Sequence, residues 1–337
     1  MNILLLSPIL IGFLSALIFI PYWLRKSKEI NYLWRDMNKF NNPKNVAGSG
    51  GLIVILSFVL GVLYYLFIRT FVFEAENGII TKIFVLLAVI LIFAILGFID
   101  DFLGWERGGL SIKFRLFLAF FASIPLIVVN AGDSEMFIPF FGAINFGLLY
   151  PLLFVPIGVA GAATTYNFLA GFNGLETGQG IIILTFLSFI SFITGSSWLA
   201  LIGLIMVASL IAFYFYNKYP AKVFPGDILT YSIGGLIAVM AIFGNFEKIA
   251  IFVFIPYILE VFLKLRGRLK KQSFAIPGKD GSLEMPYNKI YGLTHLSLFV
   301  IKKFKKKVYE KDVTYLIFVF QIILCLSALI IFRGELF

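Results

Sequence analysis

The amino-acid sequence predicts an all-α integral membrane protein of about ten transmembrane helices. Hydrophobic residues make up 60% of the 337-residue chain and charged residues 14%, whereas a soluble domain is about half apolar and about a quarter charged. The apolar residues also fall in runs of about 20, the length that a helix needs to cross a bilayer. No alternation of apolar and polar residues indicates a membrane barrel. We therefore expect one polytopic domain over residues 1–337.

Ten runs are long enough to be spans. The first run is too long for the apolar part of a signal peptide and lacks a small-residue cleavage site, so we expect it to remain in the protein. Gly and Pro dilute the fifth and the eighth runs, but membrane helices tolerate both residues. The runs are 2–24, 47–68, 79–99, 112–130, 146–165, 179–195, 197–217, 228–245, 247–265 and 313–333.

The basic residues predict the orientation. Ten spans place both termini on one side, and of the 28 Lys and Arg residues only Arg69, Lys82, Lys248 and Arg333 fall on that side. The others lie in odd-numbered loops, most densely in loop nine, residues 264–312. Lys and Arg are enriched in cytoplasmic loops. The termini are therefore expected outside and the odd loops in the cytoplasm.

Three polar stretches fall on the predicted cytoplasmic side. GFIDD (97–101) ends span three, NFLAGFNGLETGQG (167–180) forms loop five, and KVFPGD (222–227) precedes span eight. Ionisable groups at the edge of the hydrocarbon are costly and are commonly functional. We therefore expect these stretches to surround a shared cleft.

The acids of this cleft have two interpretations each. Asp100 and Asp101 are either a solvated helix end or a functional pair offset by a cation or a basic partner, since the helix dipole disfavours carboxylates at a C-terminus. Consecutive helical residues point about 100° apart, so the two carboxylates are expected to have different roles. Asp227 follows a Pro-Gly turn and is either a helix cap or a metal ligand.

Loop five contains amides and glycines but only one acid. Asn and Gly favour tight turns, which is the simpler interpretation of Asn167 and Asn173. An amide oxygen beside the three aspartates would also suit Mg²⁺, which takes oxygen ligands and substrate phosphates. Gly171 and Gly174 would let the backbone approach such a ligand closely.

Several other residues remain open between a structural and a functional role. Phe224 is either an interface residue or a stacking surface for a base, and Lys113 is either a membrane anchor or a phosphate contact. The run KKFKKK (302–307) is typical of a segment attracted to anionic lipid. His295 is the only histidine and cannot build a zinc site by itself. Cys325 is the only cysteine, so no intrachain disulfide can form.

In their order along the chain, these motifs resemble those of the polyprenyl-phosphate N-acetylhexosamine-1-phosphate transferases. NFLAGFNGLETGQ is similar to NILAGINGLEAGQ of the eukaryotic and archaeal UDP-N-acetylglucosamine–dolichyl-phosphate N-acetylglucosamine-1-phosphate transferases. DMNK (36–39) and GSLEMPYNK (281–289) also look like that branch, and the likeness covers about residues 30–295.

The resemblance implies roles for individual residues. Asn167 and Asp227 match ligands of a Mg²⁺ ion, with Mn²⁺ as an alternative, that bridges the donor pyrophosphate. Asn173 matches an amide that reads uracil, and Phe224 matches an aromatic residue that stacks on it. The resemblance also implies that Asp100 and Asp101 are an essential acidic pair and that Lys113 lies near the transferring phosphates. It further implies contacts with the donor in loop five, from Gly171, Gly174 and Glu176.

Loop nine departs from the family pattern. The family has an Arg-His-rich phosphate clamp there, whereas this chain reads KKQSFAIPGKDGSLEMP (270–286) without an Arg-His motif. Lys270, Lys271 and Lys279 are the candidates that could replace the clamp.

The resemblance implies a phosphoryl transfer at the membrane. GlcNAc-1-phosphate would pass from UDP-GlcNAc to a polyprenyl or dolichyl phosphate, releasing UMP and starting a lipid-linked oligosaccharide for glycan assembly or N-glycosylation. The alternatives are another UDP-HexNAc or undecaprenyl phosphate as substrate and, from a different class, a transporter. The acids cluster on one predicted face and the two halves share no motif, which disfavours a transporter. The expected setting is a prokaryotic plasma membrane, that of an archaeon, with no nucleic-acid partner; a homodimer is compatible with the sequence.

Overall fold

The computed structural model describes residues 3–73, 77–107, 109–138 and 142–336. A 3₁₀ turn at Ile3–Leu6 and a π-helical turn at Tyr150–Phe154 precede the first and the sixth α-helices. The α-helices are α1 (Ser7–Glu29), α2 (Gly51–Phe71), α3 (Asn77–Arg107), α4 (Ile112–Phe121), α5 (Ile124–Val128), α6 (Val155–Tyr166), α7 (Leu175–Ile193), α8 (Ser197–Asn217), α9 (Asp227–Gly244), α10 (Glu247–Val253), α11 (Ile255–Arg266), α12 (Leu293–Lys302), α13 (Glu310–Ile331) and α14 (Arg333–Leu336).

Six short strands form three antiparallel pairs outside these helices. The strands are β1 (Leu33–Arg35), β2 (Lys44–Ala47), β3 (Glu135–Ile138), β4 (Gly142–Asn145), β5 (Ile276–Pro277) and β6 (Leu283–Glu284). The first and the third pairs lie in the predicted loops one and nine.

The helices confirm a predominantly helical protein with membrane-spanning character. In the described part of the chain, seven helices are long and apolar enough to cross a membrane. Their hydrophobic faces suit a lipid environment, because large apolar side chains remain exposed along them. The seven are Leu4–Glu29, Gly51–Phe71, Gly78–Gly104, Leu175–Ile193, Ser197–Asn217, Asp227–Gly244 and Glu310–Ile331.

The other three predicted spans coincide with interrupted or shorter helices. Run 112–130 is divided into α4 and α5, run 146–165 contains the π-helical turn before α6, and run 247–265 is divided into α10 and α11. A proline occupies one of the first two positions of α5, α6 and α11, where it has no amide hydrogen to donate. The count of ten spans and the orientation of the termini therefore stay predictions.

The acidic pair lies inside a helix, which corrects one prediction. The sequence places Asp100 and Asp101 at the C-terminus of span three, but α3 continues through Arg107. The expected conflict with the helix dipole does not arise there, because that field is concentrated in the last turn. The end of an apolar run marked the edge of the hydrocarbon rather than the end of the helix.

Helix α9 is the most buried of these helices and packs against α3, α6 and α7. Its first turn meets α3 at Gly97, one turn before the acidic pair. A Cβ at this glycine would lie 2.4 Å from the backbone nitrogen of Ile228. The missing side chain therefore allows the first turn of α9 to contact α3 directly.

Candidate active site

A polar cleft of about 500 Å³ opens where the predicted loops one, five, seven and nine converge. Loop three reaches the same region through the acidic pair of α3. The lining of this polar cleft comprises Leu33, Trp34, Arg35, Asp36, Met37, Lys44, Asn167, Ala170, Gly171, Phe172, Glu176, Phe224, Pro225, Gly226, Asp227, Thr230, Gln272 and Phe274.

Asp101 fixes the start of α9. Its Oδ1 accepts a hydrogen bond from the backbone N–H of Asp227 at 2.8 Å, and its Oδ2 accepts from the Ser49 hydroxyl at 2.9 Å. The N–H of Ile228 is 3.4 Å from Oδ2. The first amides of a helix have no partner within the helix, so a carboxylate from α3 satisfies them. Asp101 therefore determines where Asp227 begins its helix.

The turn before α9 has no room for a side chain. Gly226 has a φ of +73°, and a Cβ there would lie 2.2 Å from Oδ2 of Asp101.

On the other side of the Asp101 carboxylate, the Ser49 hydroxyl lies 2.6 Å from the hydroxyl of Tyr32. Burial raises the pKa of Tyr32, which keeps its hydroxyl protonated at neutral pH. Both oxygens of Asp101 are thus held by short contacts.

Asp100 has a different environment, as its direction on the helix requires. Its Oδ1 accepts from the N–H of Leu110 at 2.7 Å, and its Oδ2 lies 3.1 Å from Nη1 of Arg115. The same guanidinium nitrogen is 3.9 Å from Oδ2 of Asp227. Arg115 therefore connects the helical acid pair to the acid that lines the cleft.

Arg115 is a residue that the sequence interpretation missed. The expectation was Lys113, two positions earlier, but that lysine is exposed, whereas Arg115 forms the ion pairs with Asp100 and Asp227. Neighbouring positions on a helix point in different directions, so only one of two basic residues spaced by two can face the acids. The segment IKFR offers no signal that selects Arg115, and the role predicted for Lys113 stays a prediction.

The two predicted metal ligands lie on the same cleft wall. Asn167 follows the last turn of α6, and its Oδ1 accepts from the hydroxyl of Thr230 at 3.1 Å. Asp227 and Asn167 both line the cleft and offer oxygen atoms. Among the described residues, no group of three or more His, Cys, Asp or Glu side chains could hold a metal ion. This incomplete oxygen set fits Mg²⁺, which keeps waters and takes substrate phosphates as further ligands.

Loop five is held in shape by Glu176 and two glycines. Gly171 has a φ of +103°, and its N–H donates to Oε1 of Glu176 at 2.8 Å. Gly174 has a φ of +79° and precedes α7. Gly171 and Glu176 line the cleft, whereas Gly174 does not. The Glu176 carboxylate thus supports the loop from within, and its predicted contact with substrate stays a prediction.

Asn173 belongs to a buried polar cluster that we name the clasp: Asp36, Lys39, Asn173 and Glu310. The Asn173 amide nitrogen donates to Asp36 at 3.1 Å and to Glu310 at 2.8 Å, and Lys39 forms an ion pair with both acids. The Oδ1 atom of Asn173 has no hydrogen-bond partner among the described residues. In this structure Asn173 is buried and outside the cleft lining, so its role in reading uracil stays a prediction.

The clasp and Asn38 join three segments of the cleft wall. The side chain of Asn38 donates to the carbonyl of Gly171 at 2.7 Å and accepts from the N–H of Ala275 at 3.1 Å. The motif DMNK therefore ties loop one to loops five and nine. Residue types alone could not assign this function, because it depends on contacts across more than 130 positions of sequence.

Phe224 lines the cleft. Its N–H donates to the carbonyl of Ala47 at 2.8 Å, and its carbonyl accepts from the N–H of Gly50 at 2.9 Å. These two bonds extend the end of β2 across loop seven. Phe274 of loop nine also lines the cleft and lies close to Gly171. A ring stacked on a base is compatible with this placement of Phe224 and stays a prediction.

The three lysines proposed for the loop-nine clamp are not part of the described cleft lining. Lys279 is exposed in the turn between β5 and β6, and the ammonium of Lys271 lies 4.8 Å from the ring centroid of Tyr287. Lys270 is also exposed. The described cations of the lining are Arg35 and Lys44, which come from loop one instead.

The rest of loop nine forms structural contacts. In the KKFKKK segment, Lys305 pairs with Asp312 at 2.8 Å and Lys307 with Asp280 at 2.6 Å. The ion pair with Lys307 lowers the pKa of the Asp280 carboxyl. His295 is buried at the start of α12, and its burial lowers the pKa of the imidazole, which favours the neutral form.

The cleft brings carboxylate and amide oxygens and basic groups together at the ends of helices that are apolar enough to cross a membrane. Residues 83–245 match the model of glycosyl transferase family 4. The chain is also 37% identical, over 90% of both chains, to a Saccharolobus solfataricus protein that carries the provisional name UDP-N-acetylglucosamine–dolichyl-phosphate N-acetylglucosaminephosphotransferase. The chain belongs to glycosyl transferase family 4.

Two further relatives mark the breadth of this similarity. A Sulfolobus acidocaldarius protein with the same provisional name is 33% identical over 89% of both chains. The phospho-N-acetylmuramoyl-pentapeptide-transferase of Wolbachia pipientis is 26% identical over 74% of this chain and 77% of its own. The similarity is therefore greater to these archaeal proteins than to this bacterial enzyme, as the resemblance of loop five predicts.

Proposed function

We propose that this protein transfers GlcNAc-1-phosphate from UDP-GlcNAc to a membrane dolichyl or related polyprenyl phosphate. The products are UMP and a polyprenyl-diphospho-GlcNAc, which starts a lipid-linked oligosaccharide for glycan assembly or N-glycosylation. The observation that carries the proposal is that Asn167 and Asp227 line one polar cleft, with Arg115 behind them, 3.9 Å from the Asp227 carboxylate. The names of the two archaeal relatives support the choice of donor and acceptor.

In this reaction an oxygen of the lipid phosphate attacks the β-phosphorus of UDP-GlcNAc. The bond between that phosphorus and the bridging oxygen breaks, and UMP leaves with the electron pair. A phosphate monoester has a second pKa of about 6, so the attacking dianion is already abundant at neutral pH. Asp100 therefore need not act as a strong base, and its contact with Arg115 fits an electrostatic role.

The residues of the cleft contribute positioning and charge. Asn167 and Asp227 would hold Mg²⁺, which offsets the charge of the pyrophosphate and of the leaving group when bound. Arg115 faces the same carboxylate and can stabilise negative charge that develops during transfer. Asp101 positions Asp227 through the start of α9.

An apolar groove of about 390 Å³ supports a lipid acceptor. It runs between α6, α9, α10 and α11, and its lining includes Thr165, two residues before Asn167. An isoprenoid chain in this groove would bury its apolar surface against protein. The groove therefore offers the lipid chain a place beside the polar cleft.

We also propose that the polar cleft faces the cytoplasm of a prokaryotic, archaeal cell. The cleft is built from the odd-numbered loops, which carry nearly all Lys and Arg residues. UDP-sugars are soluble, while the lipid phosphate lies at the membrane surface. A cytoplasmic cleft at helix ends would allow both substrates to meet.

The test is release of UMP by the purified protein. The protein is incubated with UDP-GlcNAc, dolichyl phosphate and Mg²⁺, with and without EDTA. We expect UMP only when the lipid phosphate is present, and loss of UMP when EDTA removes the metal. If UMP is released only when UDP-GalNAc replaces UDP-GlcNAc, or only when undecaprenyl phosphate replaces dolichyl phosphate, the alternative substrate is assigned. Absence of UMP with every UDP-HexNAc and lipid phosphate would contradict the proposal.

A further inference from the structure

The pair of strands at the edge of the cleft contains an irregularity. The pairing of β1 with β2 shifts by one residue after Trp34, so Asn45 is an extra residue on β2 and Arg35 faces Lys44. Such a bulge redirects side chains, and bulges are common beside active sites. Without the shift, Arg35 would face the neutral Asn45. The bulge therefore brings two cations opposite each other.

This arrangement is unfavourable without an anion. Like charges that face each other across two strands repel and destabilise the pair. Within the part of the chain that the structure describes, neither Arg35 nor Lys44 lies within 4 Å of a carboxylate. The adjacent Asp36 is engaged by Lys39. The repulsion is therefore not balanced by the described side chains.

Both cations line the polar cleft together with Asn167 and Asp227. They are the only Lys or Arg residues in the described lining, because the lysines of loop nine lie elsewhere. A diphosphate matches this pair, since a guanidinium can bind two phosphate oxygens at once and an ammonium can bind a third.

We propose that Arg35 and Lys44 bind the diphosphate of the UDP-sugar donor and replace the phosphate clamp that loop nine lacks. This inference rests on the proposed function, because it assigns the donor to this cleft. The cations stand on a bulged pair of strands, and the clasp connects the residue after β1 to loop five, so the proposed phosphate contacts are coupled in position to loop five. The proposed phosphate contacts therefore come from loop one of this chain, whereas the family resemblance places them in loop nine.

The experiment compares the binding of UDP and uridine by the purified full-length protein with Mg²⁺, using isothermal titration calorimetry. The variants are Arg35→Gln and Lys44→Gln. Arg25→Gln and Lys28→Gln are matched controls, because both residues are exposed near the end of α1 and lie outside the cleft lining. Thermal unfolding of each variant establishes that it is folded.

We expect each cleft variant to raise the Kd for UDP at least fivefold and to leave the Kd for uridine within twofold. The controls should bind both compounds as the wild type does. The exchange Arg35→Lys with Lys44→Arg should keep most of the affinity for UDP. The KM for dolichyl phosphate should not change in either cleft variant.

Two outcomes would overturn the inference alone. One is a wild type that releases UMP while Arg35→Gln and Lys44→Gln bind UDP normally. The other is a raised KM for dolichyl phosphate with unchanged UDP binding, which would assign the pair to the lipid phosphate. A wild type that releases no UMP would instead overturn the proposed function, and the inference with it.

Discussion

The acid wall of the cleft (Asp100, Asp101 and Asp227) and its basic edge (Arg35 and Lys44) are built in opposite ways. The acids stand on packed helices, and Asp101 is 5% exposed, with both oxygens hydrogen-bonded. The cations stand on two short strands and are exposed. Under the proposed function, the packed helices would hold the metal ligand Asp227 in a fixed position, and the exposed strands would let the phosphate-binding cations adjust.

The largest expected effect is at the acid wall. Asp227→Asn keeps the volume of the side chain but removes the charge, so kcat should fall by about 1000-fold, at the upper end for loss of one electrostatic contact. UMP release over a range of Mg²⁺ concentrations measures it. Activity like that of the wild type at limiting Mg²⁺ would remove Asp227 from the metal site.

Arg115→Gln tests which basic residue acts beside the acids. The structure indicates Arg115, whereas the family resemblance implies Lys113. Loss of the guanidinium leaves Asp100 and Asp227 without their described cation, so kcat should fall by about 100-fold. Lys113→Gln should lower kcat less, because that lysine is exposed. The two kcat values, measured side by side, decide between the residues. A larger loss at Lys113 would favour the family assignment.

Phe224→Ala should raise the KM for UDP-GlcNAc by about tenfold, because stacking of a base on an aromatic ring contributes about 1–3 kcal/mol. The expected kcat is close to that of the wild type, since the ring holds the base and not the transferring phosphate. Phe224→Tyr is the control that keeps the ring. An unchanged KM in the alanine variant would rule out stacking.

The smallest effect is expected behind the acid wall. Ser49→Ala removes the hydrogen bond to Asp101 and the contact with the Tyr32 hydroxyl, and it should lower the free energy of unfolding by about 1–2 kcal/mol. Chemical denaturation in detergent measures this change. Ser282→Ala, in an exposed turn of loop nine, is the control and should change stability by less than about 0.5 kcal/mol. Equal effects would show that Ser49 supports Asp101 no more than a surface serine supports its turn.

The sequence predicted the fold class and the three polar stretches because both depend on residue type alone. Apolar runs of helical length indicate membrane spans without knowledge of the rest of the fold. The stretches that contain Asp100, Asn167 and Asp227 come together as expected. In contrast, the number of continuous spans depended on where a run is divided, as at the proline in the first turn of α11.

The basic groups could not be predicted because their placement depends on long-range geometry. Lys279 and Arg35 look alike in a sequence, and only the bulge of β2 and the fold of loop nine separate them. The same applies to Glu310, an acid at the start of the last span whose partner Asn173 lies 137 positions earlier. Sequence spacing contains no information about such contacts.

Gly97 has a consequence for any random mutagenesis of this protein. The residue carries no reactive group, yet even a methyl group there would overlap the backbone at Ile228. Helix α9 would have to move away from α3, and Asp227, the first residue of α9, would move with it. A screen for inactive clones should therefore recover substitutions at this glycine alongside those at the acids, although its side chain is a single hydrogen atom.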